Sequence, residues 1–369
     1  MYTSTLFFSL LSLLYPSQCL STTRLPITNV TSIPNLAENI AVRSNSHLLI
    51  TSVTTPSIYT LDPSFPNTTT AQFPPIPGAN GLGGITELRP DLFVVAAGLW
   101  NTTARRAAHG SAALWYVDFR NSSSTNSTGP LITYLASIPN AIAVNGITTA
   151  PGSDSIVLLA ESAAGLIYAV DTAAKPPLVK VAVKSEYFAP EDAEVNPASL
   201  GINGIKSWSC EGEGDEETVG YVYFTGSASR VFGRVGMGRG AVATGPVEIL
   251  ANLTGDGTGD PASRPDDFAL DTKGRAWVSL PRSSIVLVQQ QRSNTSTSSR
   301  NSYSDAGPSW SVQTVANRTD TLQDPTSVAV GRGRWKDRLF VTTFRAEVSA
   351  GVLTFVGTIV GVDAGSYMK

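Results

Sequence analysis

Three strand-like segments recur six times along the chain, and this repeat restricts the fold more than any other feature of the sequence. In each copy, two apolar runs precede a third that often ends in Leu-Asp or Val-Asp. Three of these third runs are SIYTLDP, ALWYVDF and LIYAVDT, which begin at Ser57, Ala113 and Leu166. The copies recur every roughly 40 to 65 residues, which is the length of one β-propeller blade.

Looser copies of the third run complete the set. SRVFGRV, SIVLVQQ and AGVLTFV begin at Ser229, Ser284 and Ala350. The spacing varies where polar, low-complexity loops are inserted, as at 120–130 and 291–310. A pair of β-sandwiches is the main alternative, but it would not explain the repeat. The sequence therefore predicts an all-β fold, a single six-bladed β-propeller domain over residues 20–369.

Residues 1–19 are predicted to form a secretory signal peptide. An apolar run from Leu6 to Tyr15 is followed by small and polar residues, with Ser17 and Cys19 at the small-residue positions before the cleavage point. We therefore expect the protein to be secreted or to enter the lumen of the secretory pathway. This run is too short for a membrane span, and no later segment reaches the required apolar length.

Eight Asn-x-Ser/Thr triplets agree with a secreted protein. They begin at Asn29, Asn67, Asn101, Asn121, Asn126, Asn252, Asn294 and Asn317. None has Pro in the middle position, and we predict glycosylation there because they fall in predicted loops. If Cys19 leaves with the signal peptide, Cys210 has no partner for an intrachain disulfide. The fold must then be held together by burial of apolar surface.

The charge pattern excludes some classes of partner. The net charge is −3 and charged residues make up 15% of the chain, with no basic stripe. Nucleic acid and anionic membrane surfaces are therefore not expected as partners.

One polar residue heads the first strand of every repeat. In chain order these residues are Glu38, Asn80, Asn145, Asn203, Asp266 and Asp324. The first strand of each blade lines the central channel of a propeller, so equivalent positions converge at one face. Their oxygen atoms suit a hard cation, Ca²⁺ rather than Zn²⁺. Each position alone could be an ordinary turn at a strand entry, but the shared register favours a metal site.

Side chains for nucleophilic catalysis are scarce. His47 and His109 are the only histidines, and neither heads a strand. There is no Gly-x-Ser-x-Gly elbow. Cys210 is expected to be a small buried apolar side chain rather than a nucleophile.

Five aromatic residues near strand ends are predicted to wall an apolar substrate pocket above the cation. They are Trp100, Trp208, Tyr223, Phe268 and Phe344. For each of them taken singly, packing between two blades is the alternative interpretation.

The segments ENIAV, VNGI, INGI and PDDFALD resemble the calcium-dependent lactonases of the senescence-marker-protein/gluconolactonase-like superfamily, which are six-bladed propellers. The resemblance spans the mature chain as a repeat pattern. In that family a Glu of the first blade, Asn residues of the third and fourth blades and an Asp of the fifth blade hold the metal. The resemblance therefore implies one divalent cation on Glu38, Asn145, Asn203 and Asp266.

Two positions depart from the family pattern. Ala143 and Gly146 stand where the lactonases carry an Arg and an Asp, so the usual sugar-lactone-binding groups are missing. The segment ENIAVRSNSHLLITSV, together with the signal peptide, resembles sequences of a secreted fungal branch of this superfamily. That branch includes the hetero-Diels–Alderases of tropolone-sesquiterpenoid biosynthesis. That similarity implies small apolar substrates, a tropolone-derived quinone methide and a humulene-type alkene.

Three functions are compatible with the sequence. A pericyclase ranks first, because a cycloaddition needs a shaped apolar pocket and no nucleophile. A metal-dependent hydrolase of lactones or esters ranks second, with Asp266 as metal ligand and general base. The third is a non-catalytic secreted propeller that binds a protein or a small molecule.

Overall fold

The computed structural model describes residues 24–67, 70–120, 129–192, 194–209, 219–254, 263–291, 309–349 and 352–368. The predicted signal peptide, Cys210 and the glycosylation motifs at Asn121, Asn126 and Asn294 lie outside these ranges. The described residues form 27 β-strands, two 3₁₀ helices (Glu186–Phe188 and Gly333–Trp335) and one short α-helix, α1 (Gly365–Met368).

The strands form six antiparallel sheets in chain order, apart from β1 (Ile27–Ile33). Blade 1 contains β2 (Ile40–Val42), β3 (Leu48–Ile50), β4 (Tyr59–Leu61) and β5 (Ala71–Gln72). Blade 2 contains β6 (Gly81–Arg89), β7 (Leu92–Gly98), β10 (Ala113–Asp118) and β11 (Leu131–Ser137), and carries a separate hairpin of β8 (Trp100–Asn101) and β9 (Arg106–Ala107). Blade 3 contains β12 (Val144–Thr149), β13 (Ile156–Glu161), β14 (Leu166–Asp171) and β15 (Leu178–Lys184).

The second half of the chain repeats this order. Blade 4 contains β16 (Ile202–Ser209), β17 (Gly220–Gly226), β18 (Val231–Gly238), β19 (Val242–Ala243) and β20 (Glu248–Asn252). Blade 5 contains β21 (Phe268–Leu270), β22 (Ala276–Leu280), β23 (Ser284–Gln290) and β24 (Trp310–Asn317). Blade 6 contains β25 (Asp324–Val330), β26 (Arg338–Ser349), β27 (Val352–Asp363) and β1. The predicted all-β, six-bladed β-propeller is confirmed.

The three repeated segments are the three inner strands of each blade. The fourth, outer strand was not predicted. In β15 its residues are mostly exposed or half-buried, although most of them are apolar. The use of β1 was not predicted either. It pairs antiparallel with β27, Ile27 opposite Val362 and Ile33 opposite Gly357, so the first strand of the chain completes the last blade.

The core lies between the blades. In the described part of the chain, each pair of neighbouring blades encloses one cluster of buried apolar side chains. Phe93, Phe188 and Trp277 are fully buried in three of these clusters. Burying one such side chain contributes about 1.5–3 kcal/mol. Because both faces of a blade are covered, β7 and β13 read as continuous apolar runs rather than alternating ones.

Several inner strands begin with a β-bulge. The pairing register shifts between Val144 and Ile147 in blade 3 and between Ile202 and Ile205 in blade 4. The Asn-Gly pairs of blades 3 and 4 therefore occupy bulges and are not turns. A bulge inserts unpaired residues and redirects their side chains. Glycine follows each Asn because the neighbouring strand is close. A Cβ on Gly146 would lie 2.7 Å from the Asn203 carbonyl oxygen.

Alanine at position 146 is expected to lower the free energy of unfolding by about 1–3 kcal/mol, because the added methyl group would push two inner strands apart. The measurement is urea unfolding of Gly146→Ala beside Gly245→Ala. A Cβ at Gly245 meets nothing within 4 Å, so this control is expected to match the wild type. Equal stability of the two variants would contradict the close approach.

Hydroxyl groups in the second strand, or one residue after it, tie five of the six blades to the next blade. They donate to carbonyl oxygens at the start of the next inner strand: Thr51 to Gly83, Ser162 to Ile202, Thr225 to Asp266, Ser279 to Thr326 and Thr342 to Glu38. Strand β7 has no Ser or Thr. At that junction the β8–β9 hairpin substitutes, because the Ala107 amide donates to the Ile142 carbonyl over 2.6 Å.

Candidate functional site

Two adjoining cavities open at one mouth of the central channel. We call the cavity of about 310 Å³ the apolar lobe and the neighbouring one of about 430 Å³ the polar lobe. Four residues line both of them: Arg105, Leu200, Asp266 and Pro281. The two lobes are therefore parts of one site.

The four residues implied as metal ligands come together here. Glu38 and Asn145 line the apolar lobe, Asn203 lines the polar lobe, and Asp266 lines both. They are contributed by blades 1, 3, 4 and 5, each at the start of the inner strand. Residues separated by more than 200 positions in the sequence thus share one site, as the repeat register predicts.

The other two predicted ring positions are in the wrong register. Asn80 lines neither lobe, because its side chain pairs with the backbone of Trp100. Its Nδ2 donates to the Trp100 carbonyl over 3.1 Å, and its Oδ1 accepts from the Trp100 amide over 2.6 Å. Asp324 lines neither lobe. The bulges instead place Gly83 and Thr326 at the equivalent positions, and both line the apolar lobe. Among the described residues of blades 2 and 6, none contributes a carboxylate to the lining of either lobe.

Two amide oxygens at the site have no protein partner. In the described part of the chain, the Oδ1 atoms of Asn145 and Asn203 are buried and accept no hydrogen bond. The Nδ2 of Asn203 donates to the Ser227 hydroxyl over 3.0 Å, and this hydroxyl donates to the Pro265 carbonyl over 2.6 Å. That pairing fixes which atom of the amide is left open. A buried acceptor without a protein partner is costly, so these two oxygen atoms are placed to bind a ligand.

These donors fit a hard cation. Two carboxylates and two unpaired amide oxygens are the ligand types that Ca²⁺ prefers. Among the described residues, no group of three or more His, Cys, Asp or Glu side chains could hold a metal ion, so the amides would have to take part. The set suits Zn²⁺ poorly, because it contains neither nitrogen nor sulfur ligands.

Burial raises the pKa of both carboxyl groups. The pKa of Glu38 rises from its ordinary value of 4.5 to about 7, first because burial disfavours the charged form; the Arg105 guanidinium lowers it and the Asp267 carboxylate raises it further. The pKa of Asp266 is raised well above its usual range, again mainly by burial and then by the Glu38 charge. A bound cation would remove this strain by neutralising both groups.

The stability of the metal-free protein is expected to fall as the pH rises from about 5 to about 8. Because the folded state holds these protons more tightly than the unfolded chain, the stability is present below pH 4.5 and is lost through about pH 7. We expect a loss of about 2 kcal/mol. Urea unfolding in EDTA tests this. Glu38→Gln should flatten the profile, and a stability that rises over this range would contradict the prediction.

A buried ion pair lies next to the candidate ligand Asp266 in the sequence. The Lys206 Nζ donates to both carboxylate oxygens of Asp267, over 2.6 and 2.7 Å, and the Ser327 hydroxyl donates to the same group over 2.7 Å. The Asp267 side chain is only 2% exposed. A Cβ on Gly204 would lie 2.4 Å from Asp267 Oδ1, so Gly204 leaves the room for this carboxylate. Sequence reasoning missed the pair, since a Lys within a channel-lining strand has no local signature.

Glu161 fixes the segment that leads to Asn145. Its Oε1 accepts from the amides of Ile142 and Ala143, over 3.0 and 2.7 Å, and its Oε2 accepts from the Ala164 amide. The side chain is fully buried. The ligand loop of blade 3 is therefore anchored by a carboxylate of the neighbouring strand, which does not itself line either lobe.

Two of the five predicted aromatic residues wall the site. Trp100 and Phe344 line the apolar lobe together with Phe355, which sequence reasoning did not select. The rings of Phe344 and Phe355 meet edge to face with centroids 5.9 Å apart. Both lie in the long β26–β27 hairpin, whose 12-residue strands extend past the end of β25.

The other three predicted aromatics are not brought to the site. Trp208, Tyr223 and Phe268 pack in the cluster between blades 4 and 5, and they line neither lobe. Tyr223 stacks on Phe232 at 5.8 Å, and Phe268 meets the same ring edge to face at 5.2 Å. Their strands are apolar along their length because neighbouring blades cover both faces. For this reason the sequence does not distinguish an aromatic residue packed between blades from one that lines the cavity.

The turn of the β8–β9 hairpin, 102–105, places a cation at the junction of the lobes. Arg105 lines both lobes and interacts electrostatically with the Glu38 and Asp266 carboxylates. The hairpin is docked on the next blades, because Arg106 Nη2 donates to the Pro197 carbonyl over 2.9 Å. In the sequence RRAAHGS this segment reads as a plain polar loop, so Arg105 was not predicted.

The remaining candidates lie away from the site. His47 is 3.9 Å from Asp62, His109 is exposed, and neither lines a lobe. The predicted placement of the sequons in loops is wrong for Asn29, Asn101, Asn252 and Asn317, which lie in β1, β8, β20 and β24. The side chains of Asn29, Asn67, Asn101 and Asn252 are exposed, and that of Asn317 is half-buried. Their glycosylation stays a prediction. In the ranges described, no helix is long and apolar enough to cross a membrane.

Comparisons with known proteins support the fold. No protein-family model and no curated protein matches the chain. The structure is similar to that of a luciferin-regenerating enzyme, with a TM-score of 0.56, 14% identity, and coverage of 92% of this chain and 95% of that one. It is also similar to a calcium-binding protein, regucalcin, from Agrobacterium tumefaciens, with a TM-score of 0.52, 16% identity, and coverage of 92% and 96%.

Both structural neighbours belong to the senescence-marker-protein/gluconolactonase/regucalcin family. At these identities the similarity shows the six-bladed fold alone. The closer likeness to fungal hetero-Diels–Alderases stays a prediction.

Proposed function

We propose that this protein is a metal-dependent hydrolase of lactones or esters with an apolar body. One observation carries the proposal: two carboxylates and two unpaired, buried amide oxygens converge beside an apolar cavity. Such a site offers a charged centre for a reacting oxygen and an apolar wall for the rest of the substrate. The regucalcin structure, described as that of a calcium-binding protein, agrees with Ca²⁺ as the cation.

The residues of the chain would divide the work. Glu38, Asn145, Asn203 and Asp266 would hold the cation, which when bound polarises a carbonyl oxygen and lowers the pKa of water. Trp100, Phe344 and Phe355 would hold the apolar body and exclude bulk water from the site. Asp266 lines both lobes, so its carboxylate is also placed to accept a proton from a water molecule at the cation.

A hetero-Diels–Alderase is the second candidate, and the lining of the apolar lobe favours it. Three aromatic side chains wall this cavity, while no Ser, His or Cys lines it in the described part of the chain. A cycloaddition needs two partners held in a near-attack geometry and a donor for a carbonyl oxygen. Arg105 is such a donor. The small apolar partners implied by the fungal resemblance would then be the substrates.

Elemental analysis of the purified protein, paired with an assay panel, tests these proposals. The panel contains aryl and alkyl lactones, the matching esters, and a trapped quinone methide with an alkene. We expect about one Ca²⁺ per chain and lactone or ester turnover that chelation abolishes. Stereoselective adduct formation without hydrolysis, unaffected by chelation, would instead establish the pericyclase. No turnover with any substrate would leave a binding propeller.

A further inference from the structure

The two lobes of the site differ sharply in chemistry. The apolar lobe is lined by Leu36, Val53, Trp100, Phe344 and Phe355 besides the ligands. The polar lobe is lined instead by hydroxyl, amide and guanidinium groups, among them Asn196, Ser199 and Ser227. A molecule that fills both lobes must therefore have an apolar part and a polar part.

The charged residues of the polar lobe are mainly cationic. Three guanidinium groups, those of Arg105, Arg264 and Arg282, line it, and Asp266 is the one acidic residue among its described lining. Arg264 is paired with Glu191, which lies behind it and is held in turn by Asn196. Cations thus outnumber carboxylates among the described residues that line this lobe. An anionic group is attracted to such a concave, partly enclosed surface.

Arg105 is the group best placed to bind that anion. It lines both lobes, and no carboxylate oxygen of the described residues lies within 4.0 Å of its guanidinium. Its backbone has a φ of +51°, which is unusual for a residue with a side chain. The hairpin tolerates this conformation because it is docked on the Ile142 and Pro197 carbonyls. A guanidinium group held at the junction of two cavities by an unusual backbone conformation indicates that Arg105 positions a ligand.

We infer that the site binds an organic carboxylate, with its apolar body in the apolar lobe and its carboxylate in the polar lobe on Arg105. The planar guanidinium matches a carboxylate in shape and can donate two parallel hydrogen bonds to it. A monoanion fits better than a phosphate dianion, because Asp266 lines the same lobe. For the proposed hydrolase this means an apolar ester or lactone that also carries a carboxylate, and to that extent the inference rests on the proposed function.

Matched ligands test the inference by calorimetry. The probes are 4-phenylbutanoate and its neutral amide, 4-phenylbutanamide, titrated in CaCl₂ and again in EDTA. We expect the acid to bind about tenfold more tightly than the amide in both buffers. Added NaCl should narrow the difference, because the interaction is between charges.

Three variants separate a role in binding from a role in folding. Arg105→Gln should remove the preference for the acid while the amide binds as before. Arg105→Lys should retain part of it, and Arg239→Gln, an exposed residue that lines neither lobe, should retain all of it. Equal binding of acid and amide by the wild type, or parallel loss of both in Arg105→Gln, would overturn the inference.

The two proposals can fail separately. Calcium-dependent lactone hydrolysis without a preference for the acid would leave the proposed function intact and refute the carboxylate site. A preference for the acid that depends on Arg105, in a protein that neither binds Ca²⁺ nor hydrolyses lactones, would do the reverse.

Discussion

Asn in place of Asp266 is expected to lower the affinity for Ca²⁺ roughly 100-fold or more, and hydrolysis should be lost with it. Loss of a supporting residue around a metal already costs 10–100-fold in affinity, and here a charged ligand itself is removed. Asp266 is also the ligand that faces both lobes. Calorimetric titration with Ca²⁺ measures the affinity, and turnover of the best lactone measures the activity.

The stability of this variant shows whether the loss is local. Without metal, the charge of Glu38 disfavours the charged form of Asp266 and raises the pKa of this carboxyl group, after burial. Asp266→Asn should therefore be at least as stable as the wild type in EDTA at pH 8. Asp320→Asn changes an exposed residue outside both lobes and should bind Ca²⁺ normally. Unchanged Ca²⁺ affinity in Asp266→Asn would refute the metal site.

Replacement of Lys206 by Met is expected to lower the free energy of unfolding by about 3–5 kcal/mol. The change leaves the Asp267 carboxylate buried, with the Ser327 hydroxyl as its remaining side-chain donor. Removing one partner of a buried ion pair has this effect because the other charge stays unneutralised. Urea unfolding with and without the substitution measures the difference.

The double variant Lys206→Met with Asp267→Asn should recover much of this stability, because no uncompensated charge then remains. The surface pair of Arg120 and Asp118 provides the matched control. Its Arg side chain is 47% exposed, and Arg120→Met should cost less than about 1 kcal/mol. If Lys206→Met and Arg120→Met lowered the free energy of unfolding by similar amounts, the larger contribution expected of the buried pair would be contradicted.

The propeller was predictable because the inner three strands of each blade are buried on both faces and therefore carry a strong apolar signal. The outer strands, such as β11 and β15, are covered on one side only and did not enter the repeat. Strand β1 joins blade 6 by a pairing that no local pattern encodes. A periodic sequence fixes how many units there are. It does not fix which end of the chain completes the ring.

The four candidate ligands were predictable from the repeat register, and for two of them a recognisable pair of residues also marks the bulge. Asn145 and Asn203 precede a Gly in the bulge, so their register could be read directly. In blade 2 the Asn-Gly pair at Asn80 imitates that pattern three residues too early, and the bulge holds Gly83 instead. Arg105 was missed because it belongs to a hairpin inserted into one blade, where the repeat offers no template.

The pairing of β1 with β27 has a consequence for how the ring is kept shut. It joins Thr28 to Gly361, 333 positions apart, through one seven-residue strand. Contacts so distant along the chain form late, because their loop-closure entropy must first be overcome. The pairing of β1 with β27 thus closes the ring of blades, and Glu38 follows β1 by a few residues. An ion that binds Glu38 together with the ligands of blades 3, 4 and 5 would therefore also stabilise the pairing of β1 with β27.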